Sequence, residues 1–237
     1  MLLQATLNGP LTKADHPELP ISLEELAADA VSCVAAGARA FHVHPRSLDG
    51  TESLSAEIVD QVVAAVKSRQ PHPVGVTTGA WIEPDVQRRR ALVAEWTQPD
   101  YTSVNLSEPG ALEMVTTLLS TSVGIEAGVW TVEDAVMLVQ SGLGDRILRI
   151  MIEPVDVSTN DAIPLMDDIH LILDNAELQV PRLQHGDGEA TWVLLEDAVR
   201  RGIDTRIGFE DTLYLPDGRL ASSNADLVRA ACELGAG

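Results

Sequence analysis

One feature constrains the fold more than any other: a short β-branched or apolar run followed by an amphipathic stretch of helical period, repeated eight times. The runs are LLQATLNG, AFHVHPR, VGVTTG, YTSVNL, GIEAGVW, RILRIMIEP, PRLQHG and TRIGFED. Helical periodicity falls roughly over 22–36, 55–69, 84–96, 110–121, 131–141, 161–174, 189–201 and 222–234. Thr131 with Glu133 and Asp134, and Ser222 with Asn224, read as start signals, while Gly37, Gly142 and Gly202 suit helix ends. Eight βα units in 237 residues come to about thirty residues each, near the ~250 typical of an eightfold barrel. The predicted fold is therefore α/β, a (β/α)8 TIM barrel, with residues 1–237 as a single domain. An open doubly wound sheet needs fewer units and ranks second.

A barrel of this kind places its chemistry at the carboxyl ends of its strands. Those ends supply, in order, Asn8; His42, His44 and Arg46; Thr77 and Thr78; Asn105; Glu126; Glu153; His185; Glu210 and Asp211. Every strand ends on a group that can bind, donate or accept. Strand ends also run into loops, where polar residues serve ordinary turns. Glu153, just before Pro154, reads as a solvated loop carboxylate on that ground.

The pair His42 and His44 is the sharpest signal. Side chains in a strand alternate with period two, so both imidazoles project from one face and can converge on one ion, with Val43 packed outward. In a barrel, alternate strands contribute to the same layer, and strand 8 lies only one strand beyond strand 1. A third ligand at the end of strand 8 would thus be level with the pair, and Glu210 stands there. Arg206, Gly208 and Glu210 share its inner face, where charge is costly unless paired or metal-bound. A structural Arg206–Asp211 ion pair is the alternative. Two histidines and a carboxylate suit Zn²⁺ in a catalytic site, and Mn²⁺, Fe²⁺ or Co²⁺ fit the same ligands.

Composition removes several competing functions. The formal charge is −20, and Lys13 and Lys67 are the only lysines against fourteen arginines. Such acidity argues against nucleic acid or a membrane surface as partner, and leaves no evident basic patch for coenzyme phosphates. No apolar run reaches membrane length and no basic leader opens the chain, so a cytoplasmic location is expected. Cys33 and Cys232 lie far apart in Ala-rich helical patterns and read as core fillers. Lys67 falls in helix 2 and Lys13 in the loop after strand 1, so Schiff-base chemistry inside the barrel is excluded. Carbonyl activation, where it occurs, falls to a metal.

The stretches NG (Asn8, Gly9), HPELPIS, AGARAFHVHPR, TTG and RIGFEDTLYLPDGRLASSNADLV together resemble the β-keto acid cleavage enzymes, over nearly the whole chain. The resemblance implies a (β/α)8 barrel holding one Zn²⁺ through His42, His44 and Glu210. It also implies condensation of a β-keto acid with acetyl-CoA and cleavage of the product to acetoacetate and a new CoA thioester. By the same likeness Asp211 would be the general base, Arg206 would orient it, and zinc would bind the keto and carboxylate oxygens. Thr77 stands where the family has Ser or Thr before TG, and it or Asn105 would face the developing oxyanion. Asn8, Thr78, Asn105, Glu126 and Arg46 are the expected substrate contacts. Arg46 is open between substrate carboxylate, loop carboxylate and CoA phosphate, and His185 has no assigned role. A homo-oligomer is implied by the likeness alone.

One departure concerns the substrate. Where the family's type member carries a glutamate after strand 1, this chain reads NGPLTKAD, with Leu11 in a loop one residue shorter. A substrate without an amino group there is expected. The competing reading is another metal barrel, an amidohydrolase-like hydrolase or a lyase acting on a small carboxylated substrate. In amidohydrolases HxH usually ends strand 1 and further histidines end strands 5 and 6, whereas here Glu126 and Glu153 stand at those ends. A barrel that binds a ligand without catalysis is a third reading, and it leaves the metal-ligand pattern unexplained.

Overall fold

A computed structural model describes residues 1–155 and 157–237. Among these, eight strands alternate with eight α-helices: β1 (Leu3–Thr6), α1 (Leu23–Ala36), β2 (Ala40–Val43), α2 (Ala56–Lys67), β3 (Val74–Val76), α3 (Val86–Val93), β4 (Tyr101–Asn105), α4 (Ala111–Leu118), β5 (Gly124–Val129), α5 (Val132–Ser141), β6 (Arg149–Ile152), α6 (Thr159–Asn175), β7 (Arg182–Gln184), α7 (Thr191–Arg201), β8 (Asp204–Gly208) and α8 (Asn224–Glu233). The strands are parallel and close into a barrel in sequence order, β8 pairing with β1. This is a (β/α)8 TIM barrel, as the eightfold alternation predicts.

The helices form where the sequence places apolar residues on one stripe. In α2, Val59, Val62, Val63 and Val66 are buried on the face turned to the barrel, and they pack with Val43 and Val76, which are buried too. Thr131 starts α5 as expected: its hydroxyl accepts the Asp134 N–H, and the Asp134 carboxylate returns to the Thr131 N–H. Gly37, Gly142 and Gly202 end α1, α5 and α7. The start of α8 differs from expectation, because Ser223 rather than Ser222 caps it. Asn224 is needed elsewhere. Its side chain accepts the Phe209 N–H at 2.7 Å and donates to the Leu7 carbonyl at 2.8 Å, fastening α8 beneath the ends of β8 and β1. Cys33 is buried and Cys232 only half-buried, and both are free thiols.

Inside the barrel, the lower layer is a polar plug where branched aliphatics are usual. Gln4 donates to Tyr101 Oη and to Glu126 Oε1, each at 2.9 Å, and Arg149 Nε reaches the same Glu126 oxygen at 3.1 Å. The Arg149 guanidinium lies over the Tyr101 ring, 5.4 Å from its centroid. Burial raises the Glu126 carboxyl above its ordinary range, against the pull of Arg149. This plug closes one end of the barrel and leaves the other for chemistry.

Candidate active site

Register sets the site. Thr6 pairs with His42 on one side and Gly208 on the other, so these three residues share one level at the top of the barrel. Gly208 is required there, because a Cβ would lie 1.9 Å from the Thr6 carbonyl oxygen and 2.6 Å from Thr6 Oγ1. The Thr6 hydroxyl occupies that space and donates to Asp211 Oδ2 at 2.7 Å. His44 lies one residue beyond β2, and Asn8 extends the ladder to it. The Asn8 carboxamide accepts the His44 N–H at 2.9 Å and donates to the His44 carbonyl at 3.0 Å.

His42, His44 and Glu210 converge. Their candidate ligand atoms lie within 4.8 Å of one another. His42 Nε2 is 3.8 Å from Glu210 Oε2, and His44 Nε2 is 3.6 Å from Glu210 Oε1. Such gaps are too long for hydrogen bonds. They are close to the roughly 3.4 Å that separates two ligand atoms on one tetrahedral Zn²⁺. Glu210 Oε2 is buried with no hydrogen-bond partner, as expected of an oxygen reserved for an ion. On the far side of His44, Nδ1 meets Glu52 Oε1 at 2.5 Å, which leaves Nε2 facing Glu210. These residues fit a divalent cation.

The local charge balance points the same way. Arg206 lies 2.7 Å from Asp211, 2.9 Å from Glu210 and 3.9 Å from Glu153, so one guanidinium faces three carboxylates. Burial opposes charge on His44, yet Glu210 and Glu52 lift its pKa to about 9. Burial carries His42 down to about 3. The field therefore favours positive charge where His44 Nε2 and Glu210 meet. Despite burial, Arg206 and the two histidines hold Glu210 well below the usual carboxylate range. Asp211 is raised, by burial against Arg206 and with the repulsion of Glu210. Glu153 is raised to about 7 by burial, again against Arg206. His185 is fully buried, with Nε2 3.6 Å from Glu153 and Nδ1 3.5 Å from Asp211, and burial together with Arg206 keeps it neutral.

Above this floor opens a cavity of about 200 Å³. His42, His44, Glu210 and Arg206 line it, and Pro10, Trp81, Trp130, Met151 and Val155 form an apolar wall. The sequence profile of the family described as beta-keto acid cleavage enzyme matches residues 1–152 and 183–236. The chain belongs to this family. Two 3-keto-5-aminohexanoate cleavage enzymes align with almost all of it: one from Fusobacterium nucleatum at 26% identity, covering 99% of this chain and 92% of the relative. The other, from Acetoanaerobium sticklandii, is 24% identical over 99% and 90%. The 3-dehydroquinate dehydratases of Geobacillus kaustophilus (TM-score 0.65, 10% identity, covering 98% of this chain and 89% of the other) and Aquifex aeolicus (0.61, 15%, 99% and 97%) share the barrel alone.

In this β-keto acid cleavage family member, the residues expected from sequence divide into two groups. Thr77 and Asn105 line the cavity with His42, His44, Glu210 and Arg206. Thr77 Oγ1 accepts the Gly79 N–H at 3.1 Å, so its own proton is available to a substrate oxygen. Asp211 lies just behind Arg206, 2% exposed. The other expected contacts are committed elsewhere. Asn8 pairs with the His44 backbone, and Thr78 donates to the Ser103 carbonyl at 2.7 Å. Glu126 sits in the plug below, and Arg46 donates to the carbonyls of Gly9, Leu11 and Gly50. Glu153 is corrected from solvated loop carboxylate to cavity wall. The period-two rule that places His42 and His44 would have found it, since Arg149, Met151 and Glu153 alternate inward in the same way. Glu52 had a signal too: Asp49-Gly50 is a turn dipeptide that brings Glu52 back beside Arg46.

Proposed function

We propose that this chain cleaves a β-keto acid with acetyl-CoA as co-substrate, giving acetoacetate and a new CoA thioester, with one divalent ion, Zn²⁺ first among candidates, held by His42, His44 and Glu210. The observation that carries this reading is the convergence of those three residues beside Arg206 on the floor of one cavity, with Asp211 paired to Arg206 just behind it. Family membership supports it and removes the amidohydrolase-like alternative.

The chemistry requires loss of a proton from the carbon between carboxylate and ketone. An ion bound by the three ligands would supply Lewis-acid stabilisation of the enolate. Asp211 takes the proton; Thr6 on Oδ2, and Arg206 on Oδ1, fix the orientation of its carboxylate. Burial raises the proton affinity of Asp211, which suits a base that must later return what it takes. The deprotonated carbon attacks the acetyl thioester carbonyl and expels the coenzyme thiolate. That thiolate attacks the original ketone, and the carbon–carbon bond breaks to release acetoacetate, which regains the proton, and the new thioester. Thr77, which lines the cavity with its hydroxyl proton uncommitted, would donate to the developing oxyanion.

The apolar wall and the packing of Leu11 against the core favour a substrate without an amino group at the loop after β1. The protein would act as a single-domain cytoplasmic homo-oligomer, and no helix among the described residues is long and apolar enough to cross a membrane. The test is an exchange assay with acetyl-CoA labelled in its acetyl group and a panel of β-keto acids. The label should appear in acetoacetate, fastest with unsubstituted or alkyl substrates. Label that stays in acetyl-CoA for every acid refutes the activity, and a strong preference for 3-keto-5-aminohexanoate refutes the substrate assignment.

A further inference from the structure

Glu52 is not on the cavity floor, yet it touches two residues that line the cavity. Its Oε1 lies 2.5 Å from His44 Nδ1, and its Oε2 accepts the Trp81 indole N–H at 3.0 Å. The Trp81 ring closes the triangle by stacking on the His44 imidazole, 6.1 Å between centroids and 23° between planes. The geometry points to Glu52 as a positioning residue that fixes the tautomer and angle of His44 and, through its second oxygen, holds Trp81 as the wall of the acyl pocket. This inference rests on the proposed sharing of one ion by His42, His44 and Glu210.

A carboxylate only accepts, so the nitrogen facing Glu52 carries a proton, and His44 Nε2, on the Glu210 side, is the nitrogen left for an ion. A ligand histidine needs that tautomer, and a carboxylate on the far nitrogen both sets it and strengthens the ligand. The two ligands differ in this respect, because His42 Nδ1 is buried without a partner. Two donors meet two oxygens on Glu52. Neither oxygen can be given up without releasing either the ligand or the wall.

The loop after β2 is built to hold Glu52 there. Ser47 N–H bonds to the Thr51 carbonyl and Ser53 N–H to the Pro45 carbonyl, each at 2.9 Å, so residues 45–53 form a short hairpin in which Arg46 pairs antiparallel with Glu52. The Arg46 guanidinium ties this hairpin to the loop after β1 through the Gly9 and Leu11 carbonyls, at 2.7 and 2.6 Å. Arg46 thereby acts through Glu52. Trp81 is half exposed, and it lines the cavity together with His44.

Glu52→Gln tests this, because an amide has one acceptor oxygen and cannot serve both donors. Zn²⁺ affinity is measured on purified protein by competition with a chromogenic chelator, and the His44 tautomer by ¹⁵N spectra of histidine-labelled protein. Affinity should fall about 10- to 100-fold, and the spectrum of the Zn²⁺-loaded protein should lose its single Nδ1–H form. Trp81→Phe keeps the ring and leaves the His44–Glu52 bond intact, so alone it should change affinity by no more than about threefold. Added to Glu52→Gln, it frees the remaining oxygen for His44 and should recover part of the lost affinity, which general damage to the fold would not do. Glu52→Asp keeps both oxygens but draws them back by one methylene, and it serves with the same expected loss if the glutamine variant does not fold. Zn²⁺ binding by Glu52→Gln within about twofold of wild type, or no recovery in the double variant, overturns the inference and leaves the proposed function standing. Wild-type protein that binds no divalent ion overturns both.

Discussion

Gly208→Ala probes the level at which β1, β2 and β8 meet. The new methyl would stand 1.9 Å from the Thr6 carbonyl oxygen, well over 1 Å inside van der Waals contact, and the obstacle is backbone, which a rotamer change cannot move aside. Strand β1 must shift from β8 at the Thr6–Gly208 pair. Overpacking of this kind costs about 1–3 kcal/mol. Weakening one or two ladder hydrogen bonds adds about 1 kcal/mol each, for a total of about 2–5 kcal/mol. The same shift carries the Thr6 hydroxyl away from Asp211 Oδ2, so kcat should fall along with stability. Urea unfolding gives the stability change from the midpoint at constant m, and the labelled exchange assay gives kcat. Gly142→Ala is the control: φ there is 66° with nothing within 4 Å of the new methyl, so about 1 kcal/mol is lost through backbone conformation alone and kcat is unchanged. If Gly208→Ala matched wild type in both measurements, the inward placement of Gly208 beside Thr6 would be wrong. The shared level of His42, Thr6 and Gly208 would then lose its basis.

Three further outcomes are expected. Asp211→Asn should keep the fold and Zn²⁺ content while lowering kcat about 10²- to 10⁴-fold, read in the labelled exchange assay. His42→Ala should abolish stoichiometric metal, measured by elemental analysis, and treatment of the wild type with a strong chelator should remove activity that added Zn²⁺ restores. Asp29, half-buried and hydrogen-bonded by Asn224 at 2.7 Å, is raised to about 6 by burial, so the folded state binds its proton more tightly than the unfolded chain. Its contribution to stability is present below pH ~4 and lost as pH rises through about 6, on the order of 3 kcal/mol; Asp29→Asn should flatten that part of the urea-midpoint profile.

Much of the site was legible because period two and barrel closure are rules about the backbone. They place His42 and His44 on one face, bring Arg206 and Glu210 around from β8, and require a small residue at Gly208 between them. What the rules do not decide is the partner chosen by a polar side chain at a strand end. Asn8, Thr78 and Arg46 all sit near the mouth, and all three bond to backbone groups left unpaired where the ladder stops. Their polarity answers a structural need that sequence pattern cannot separate from substrate binding. Glu126 fails for another reason: β5 is long enough for its inward positions to reach below the cavity, so the same inward face serves the plug at one level and the site at the next. For Glu52 the Asp49-Gly50 turn marks a hairpin in sequence, but not that the side chain eight positions on from His44 reaches its imidazole.

The match to the family is interrupted between residues 152 and 183, and two residues of the cavity wall fall in the gap. The ligand cluster, Arg206, Asp211 and Thr77 all fall within matched segments. Glu153 and Val155 fall outside them, and both stand on the cavity wall. Under the proposed function a wall residue would meet whatever distinguishes one β-keto acid from another, whereas floor residues would meet the carboxylate and ketone that all such acids share. Variation confined to the wall can therefore change the acyl group without disturbing proton transfer. Glu153 complicates that separation, because it faces Arg206 at 3.9 Å and His185 at 3.6 Å. It belongs to the wall by position and to the charge balance of the floor by contact. A substituent that displaces Glu153 would thus alter the field around Arg206 and Asp211, so under the proposed function substrate choice and base strength would be coupled through this one carboxylate.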